Sequence, residues 1–196
     1  MLDSSDVVAL IEYKSNGDFR ATAKIVKIYK GHLNIGDEIW VSGFSNRYGP
    51  IDKVHYGEKY LVFLNLNEPT ERRLEYWNEE LKEKPELQGF VDAFKNRKAY
   101  YVWSPTSGDL KIKGKKIQYD LIQTTFYKNE KYFSLSQFED FLKNYYQSSN
   151  RDNFCYSLFN RISPANEKNN KSQYLMMLNL MGFNHYEWRR YLEGIM

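Results

Sequence analysis

The chain has 196 residues, with 28 Lys and Arg against 25 Asp and Glu, and a single cysteine. This length admits one large domain or a barrel with a helical appendage, and a lone thiol excludes both an intrachain disulfide and a zinc site built from thiolates. Basic and acidic residues alternate, 22 against 21 over residues 1–149 and 6 against 4 over 150–196, so the concentrated basic face of a nucleic-acid binder does not stand out, and no apolar run reaches membrane-spanning length.

The first sixty-odd residues read as strands. Asp6 to Tyr13 is a β-branched, apolar run. Ser15-Asn16-Gly17-Asp18 follows as a turn whose Asn-Gly centre suits positive φ angles. Phe19 to Tyr29 alternates, placing Ala21, Ala23, Ile25 and Lys27 on one face and Thr22, Lys24, Val26 and Ile28 on the other. A loop ending in Gly36-Asp37 leads to a strand from Glu38 to Val41, then a loop-like stretch from Gly43 to Gly57. Lys59 to Leu66 is almost continuously apolar, as expected of a strand buried on both faces.

From Glu68 the period changes. Leu74, Trp77 and Leu81 fall at helical spacing, Pro85 interrupts, and Leu87, Phe90, Val91 and Phe94 resume it, so two short helices meet at a proline suited to start the second. Ala99 to Trp103 returns to strand, Ser107-Gly108-Asp109 and Lys113-Gly114-Lys115 are turns, and Lys116 to Phe126 is the expected closing strand. Ser134 and Ser136 are candidate N-caps, the latter in a capping-box pattern with Glu139. Leu135, Phe138, Leu142 and Tyr145 form one apolar stripe, Phe154, Leu158 and Ile162 a second, Tyr174, Leu175, Leu178 and Met181 a third, and Trp188, Tyr191, Leu192 and Ile195 a fourth. The expected organisation is a barrel over 1–130 with a helical insertion at about 70–97, and a helical region over 131–196 packed on it.

Five or so short strands suggest a barrel of the oligonucleotide/oligosaccharide-binding (OB) type. Ser5-Asp6-Val7-Val8, Ile28-Tyr29-Lys30-Gly31, Gly36-Asp37-Glu38-Ile39 and Gly57-Glu58-Lys59-Tyr60-Leu61-Val62-Phe63 stand in the order and spacing of a narrower group. Over residues 5–66 the chain resembles the netrin-like barrels, the superfamily of the tissue inhibitors of metalloproteinases. The resemblance implies the barrel, and with the helical periodicities above the expected fold is α+β: an OB-like antiparallel β-barrel with an inserted helical hairpin and a C-terminal helical region. It also implies an extracytoplasmic setting, secreted or periplasmic, if an export signal has been removed, with a cytoplasmic setting otherwise. Protein–protein contact is the implied activity. Two departures limit the carry-over. The N-terminal cysteine that gives those inhibitors their zinc-chelating amine and carbonyl has no counterpart, and the family's disulfides are missing, since Cys155 is alone. Inhibition through a protease zinc is therefore not expected.

The residues themselves point away from catalysis, metal and cofactor. His32, His55 and His185 are not spaced as a zinc-protease helix motif. Ser42-Gly43-Phe44-Ser45 lacks the glycines and the strand-to-helix setting of a nucleophile elbow. Phe154 and Tyr156 argue for burial of the Cys155 thiol rather than its activation. Gly31 to Gly36 runs into a strand, which makes it a turn and not a phosphate cradle. Glu71, Glu75, Glu79, Glu80 and Glu83 alternate with Arg72, Arg73 and Lys82 as a solvated helix face. The chain is thus expected to be a non-catalytic binding module with a protein partner. The candidate contact segment is the loop before the fourth strand, where Phe44, Arg47, Tyr48, His55 and Tyr56 offer the aromatic and cationic types that anchor interfaces. A competing reading has Phe44 and Tyr56 covering one barrel end. The alternative function is single-stranded nucleic-acid binding by Tyr and Phe platforms with Lys and Arg on the backbone.

Overall fold

The computed structural model describes residues 2–18, 20–44, 53–94, 97–102, 109–118 and 132–148. By its contacts the chain divides into two compact units, Ser5–Lys111, and Met1–Ser4 together with Ile112–Met196.

The larger unit is a closed five-stranded barrel. Its strands are β1 (Val7–Tyr13), β2 (Arg20–Lys30), β3 (Glu38–Ser42), β4 (Lys59–Leu66) and β5 (Ala99–Val102). They pair in the order β1-β2-β3-β5-β4, and β4 returns to β1 to close the ring. All these pairings are antiparallel except β3 with β5, which is parallel, so the barrel is mixed and not antiparallel throughout as expected. The reason is topological: β4 and β5 are joined by the excursion of α1 (Glu68–Glu80) and α2 (Gln88–Phe94), and β5 then slots between β3 and β4. The closing strand is therefore β5, and not the segment from Lys116 onward.

Alternating apolar residues fill the barrel. Val7, Ala9, Ile11 and Tyr13 of β1 meet Ala21, Ala23 and Ile25 of β2, Ile39 and Val41 of β3, Tyr60, Val62 and Leu64 of β4, and Tyr100 and Val102 of β5. The small residues Ala9, Ala21 and Ala23 leave room for the rings of Tyr13, Tyr60 and Tyr100. Val8, Leu10, Leu61 and Phe63 point to the other face and are buried as well, which explains the nearly unbroken apolar run of β4. In β2 the expected two-residue period fails. The register against β1 jumps between Val8 and Ala9 and between Leu10 and Ile11, and each bulge adds a residue on β2. Ile28 is thereby returned to the face of Ala21, Ala23 and Ile25, where it packs on the core, while Lys27 is exposed.

The insertion follows helix-start chemistry. Asn67 caps α1, its side chain accepting from the Thr70 amide, with Pro69 in the first turn. Pro85 opens a 3-10 turn (Pro85–Leu87) that runs into α2. Glu71 accepts a hydrogen bond from the Ala99 amide at 2.8 Å, which fastens α1 to the start of β5.

The chain passes into the smaller unit within β6 (Asp109–Lys113). There Ile112 and Lys113 pair with β7 (Lys116–Gln118) across a turn at Gly114, which has a φ of +62°, and β7 pairs with β8 (Tyr132–Ser134). Ser134, not Ser136, caps α3 (Leu135–Gln147). Phe138, Phe141, Leu142 and Tyr145 are its buried face, and Phe141 extends the expected stripe. Tyr145 donates to Asp3 at 2.7 Å and Tyr146 to the Leu2 carbonyl at 3.2 Å, so α3 holds the start of the chain. The stripes expected beyond residue 150, with Cys155 and His185, lie outside the described residues. No described helix is long and apolar enough to cross a membrane.

Candidate functional site

One end of the barrel is built from two turns that brace each other. Gly17 and Val54 exchange backbone hydrogen bonds at 3.1 and 3.0 Å, which joins the β1–β2 turn to the segment before β4. Gly17 does not take the positive φ expected of an Asn-Gly turn. A side chain is barred there for another reason, since a Cβ would collide with the Arg20 carbonyl. Asn16 accepts from the Tyr56 amide at 2.8 Å, and Gly57 (φ +81°) donates to the Tyr13 carbonyl at 2.8 Å. Glu58 accepts from the His55 amide at 3.1 Å through its side chain. Every amide from His55 to Glu58 is thus spoken for, and the ordered backbone of the turn carries Tyr56 with 68% of its surface exposed.

Beneath this turn lies an aromatic floor. The Tyr13 ring meets Phe44 and Tyr60 edge-on, with centroids 5.9 and 5.3 Å apart. Lys111 pairs with Glu58 and sits 5.8 Å from the Tyr60 ring centre. Burial pushes the Glu58 carboxyl up, but the Lys111 ammonium and the His55 amide, with the Tyr60 hydroxyl, outweigh it and hold the group below the usual carboxylate range. At the rim, Lys14 lies 5.7 Å from the Tyr56 ring centre and is paired with Glu12. That hydrogen bond lowers the Glu12 carboxyl and raises the Lys14 ammonium.

These positions sort the five residues expected to make contact. Tyr56 and His55 are exposed side by side on the braced turn. Phe44 is not on the surface: it is buried in the barrel core, its ring against that of Tyr13. Arg47 and Tyr48 lie outside the described residues. Sequence reasoning missed Asn16 and Lys14, whose roles depend on a turn forty residues away. His32 is exposed, its ring nitrogen 3.4 Å from the Tyr100 hydroxyl, and no cluster of three metal-ligating side chains occurs among the described residues.

A second exposed strip runs across the outer faces of β2, β3 and β5. Register sets Arg20 opposite Ser42, Thr22 opposite Trp40, and Ser42 beside Tyr101. The Arg20 guanidinium lies 5.6 Å from the Trp40 ring centre, and Tyr101 is 39% exposed. Lys24 is exposed on the same face, and Glu38 is paired with Arg97 at 2.7 Å. The outward parity of Trp40 and Tyr101 was available in the alternation of their strands.

The chain matches no family model, no curated protein and no solved structure.

Proposed function

We propose that the chain is a non-catalytic, extracytoplasmic module of OB-like, netrin-like type that binds a protein through the braced rim at Tyr56 and His55. The supporting observation is the presentation of Tyr56. A large amphipathic ring stands exposed on a turn fixed by hydrogen bonds to Asn16, Tyr13 and Glu58. A turn whose backbone is already ordered loses little conformational freedom on binding, and an exposed tyrosine is a residue type that anchors interfaces. The closed order β1-β2-β3-β5-β4 supports the barrel type on which the resemblance rests.

The test compares proteins of an extracytoplasmic extract retained by the immobilised chain with those retained by its Tyr56→Ala variant. A partner held by the first should be weakened about thirtyfold in the second, the effect of an interface anchor. An unchanged set of retained proteins would sink the reading.

A specific observation favours a second reading, single-stranded nucleic-acid binding. Arg20 over Trp40, with Lys24 and Tyr101 on one outer face, pairs cations with stacking rings on the strands such barrels use for oligonucleotides. Retention of an oligothymidylate at low salt that falls steeply as salt rises, and that Trp40→Ala abolishes, supports it. No retention at low salt removes it.

A further inference from the structure

The hairpin of β6 and β7 carries a concentration of charge that neither reading uses. Lys113 stands directly opposite Lys116, with only Gly114 and Lys115 between them. Lys116 stands in turn opposite Ser134 of β8. Residues opposite one another share a face of a sheet, so Lys113, Lys116 and Ser134 form a row across three strands. The neighbouring pair, Ile112 and Ile117, faces the other way, with Ile117 wholly buried and Ile112 half-buried. The turn is fixed twice. Gly114 supplies the positive φ, +62°, that a two-residue hairpin loop requires, and the Lys115 carbonyl accepts from the Leu135 amide at 2.9 Å.

The basic side is not neutralised. Lys113, Lys115 and Lys116 are all exposed, and no ion pair or hydrogen bond joins their ammoniums to a described residue. Lys111, by contrast, is engaged by Glu58 and does not count with them. The first turn of α3, which starts beside Lys115, contains no acid. Like charges directly opposite on a sheet are destabilising, and no described acid offsets them here. The row also ends in hydroxyls. Ser134 and Ser136 lie 2.9 Å apart through their side-chain oxygens, and the Gln137 amide donates to Ser134 at 3.5 Å. Two hydroxyls share one hydrogen bond, so one O–H is left to donate outward. Ammoniums and hydroxyls are the donors that hold phosphate oxygens along a nucleic-acid backbone. Lysine serves there as a compact point charge, which suits phosphate without reading sequence. Rival occupants match less well. Lysine is depleted at protein–protein interfaces, and no large apolar side chain described on these strands is exposed to enter a bilayer.

We propose that the face of β6, β7 and β8 bearing Lys113, Lys116 and Ser134, with Lys115 at its tip, holds the phosphate backbone of a nucleic acid without reading its bases. The contact asks nothing of Arg20 or Trp40 and needs no stacking ring. It therefore goes beyond the single-strand reading and does not rest on it.

The test is a fluorescence-anisotropy titration of the full chain against labelled duplex DNA of arbitrary sequence, whose phosphates face out and whose bases are stacked within. Three neutralised phosphates give a slope of about −2.7 in log K against log salt, so a tenfold rise in salt should weaken binding about 500-fold. Each of Lys113→Gln and Lys116→Gln should reduce the slope by about 0.9, which brings that loss down to about 60-fold. Both lysines are exposed, so both variants should melt with the parent. A second duplex of unrelated sequence should bind equally. Trp40→Ala should leave the duplex slope unchanged, so failure of that strip and failure here are read separately. The proposal is overturned by no binding of the duplex at low salt, by lysine variants that keep the parent slope, or by a strong preference between the two duplexes. It is overturned equally if polyglutamate or phosphatidylglycerol vesicles are held more tightly than the duplex through the same lysines.

Discussion

Replacing Tyr13 by Phe should make this protein more stable. Tyr13 is wholly buried in the barrel, and its hydroxyl has no hydrogen-bond partner among the described residues. The unfolded chain hydrates that hydroxyl, so burying it unpaired costs about 1–3 kcal/mol. Phe retains the ring and its edge contacts with Phe44 and Tyr60 and opens only the space of one oxygen. A net gain of about 1 kcal/mol follows, which raises the melting temperature by about 2–4 °C in a chain of this size. The same residue sets an alkaline signature. Burial, and then the Asp109 carboxylate, raise the Tyr13 hydroxyl well above its ordinary value. A raised folded pKa contributes stability that is full below the unfolded value near 10 and is lost as pH climbs towards the folded one. At about pH 11 the loss is about 1.4 kcal/mol for one tyrosine held fully protonated. Tyr13→Phe does not suffer it, so its advantage in urea melts should widen by that amount between about pH 9 and about pH 11. A variant less stable than the parent, or an advantage indifferent to pH, would refute the reasoning.

Other outcomes follow from the same geometry. Gly31→Ala should cost about 3 kcal/mol, since its φ is one that L-residues resist and a Cβ would lie 2.8 Å from the Asp6 carbonyl oxygen. Gly57→Ala, with nothing within 4 Å, should cost about 1 kcal/mol from strain alone, so urea melts that rank the two equal would contradict the model of the β2–β3 loop. Phe44→Ala empties part of the core and should lose about 3–5 kcal/mol, whereas Tyr56→Ala should melt with the parent. Because the folded Glu58 carboxyl lies below its ordinary value, its stabilisation is present above the unfolded pKa near 4.5 and fades as pH falls through the folded one. Glu58→Gln should therefore flatten the acid limb of a stability–pH profile below about pH 5, and an unchanged limb would remove the Lys111 pairing from the account.

How much of this was legible in the residues varies by element. The apolar runs placed β1, β3 and β4 to within a residue or two, because burial on a barrel wall demands them locally. Pro85 likewise declares a helix start through its own chemistry, whereas the Asn67 cap of α1 emerged only with the structure. The facing of β2 was misread past Ile25, since a bulge changes parity without altering composition. At the site, His55 and Tyr56 were recognisable as turn residues of interface type. That Phe44 sinks into the core while Tyr56 stays out could not be read, because both are aromatics flanked by glycine.

The linear chain by itself determined where the five barrel strands and the helices α1 to α3 run, though not β6 or β8, and that a lone thiol leaves the barrel to be held by packing and hydrogen bonds. Periodicity and capping act over a few residues, so local chemistry suffices for them. Only the tertiary structure decided that β5 runs parallel to β3, that Asn16 clasps the turn of Tyr56, and that Leu33 and Ile35 part ways across one loop. Those outcomes depend on which distant backbone arrives alongside, and closing the ring fixes that partner only when all five strands are in place.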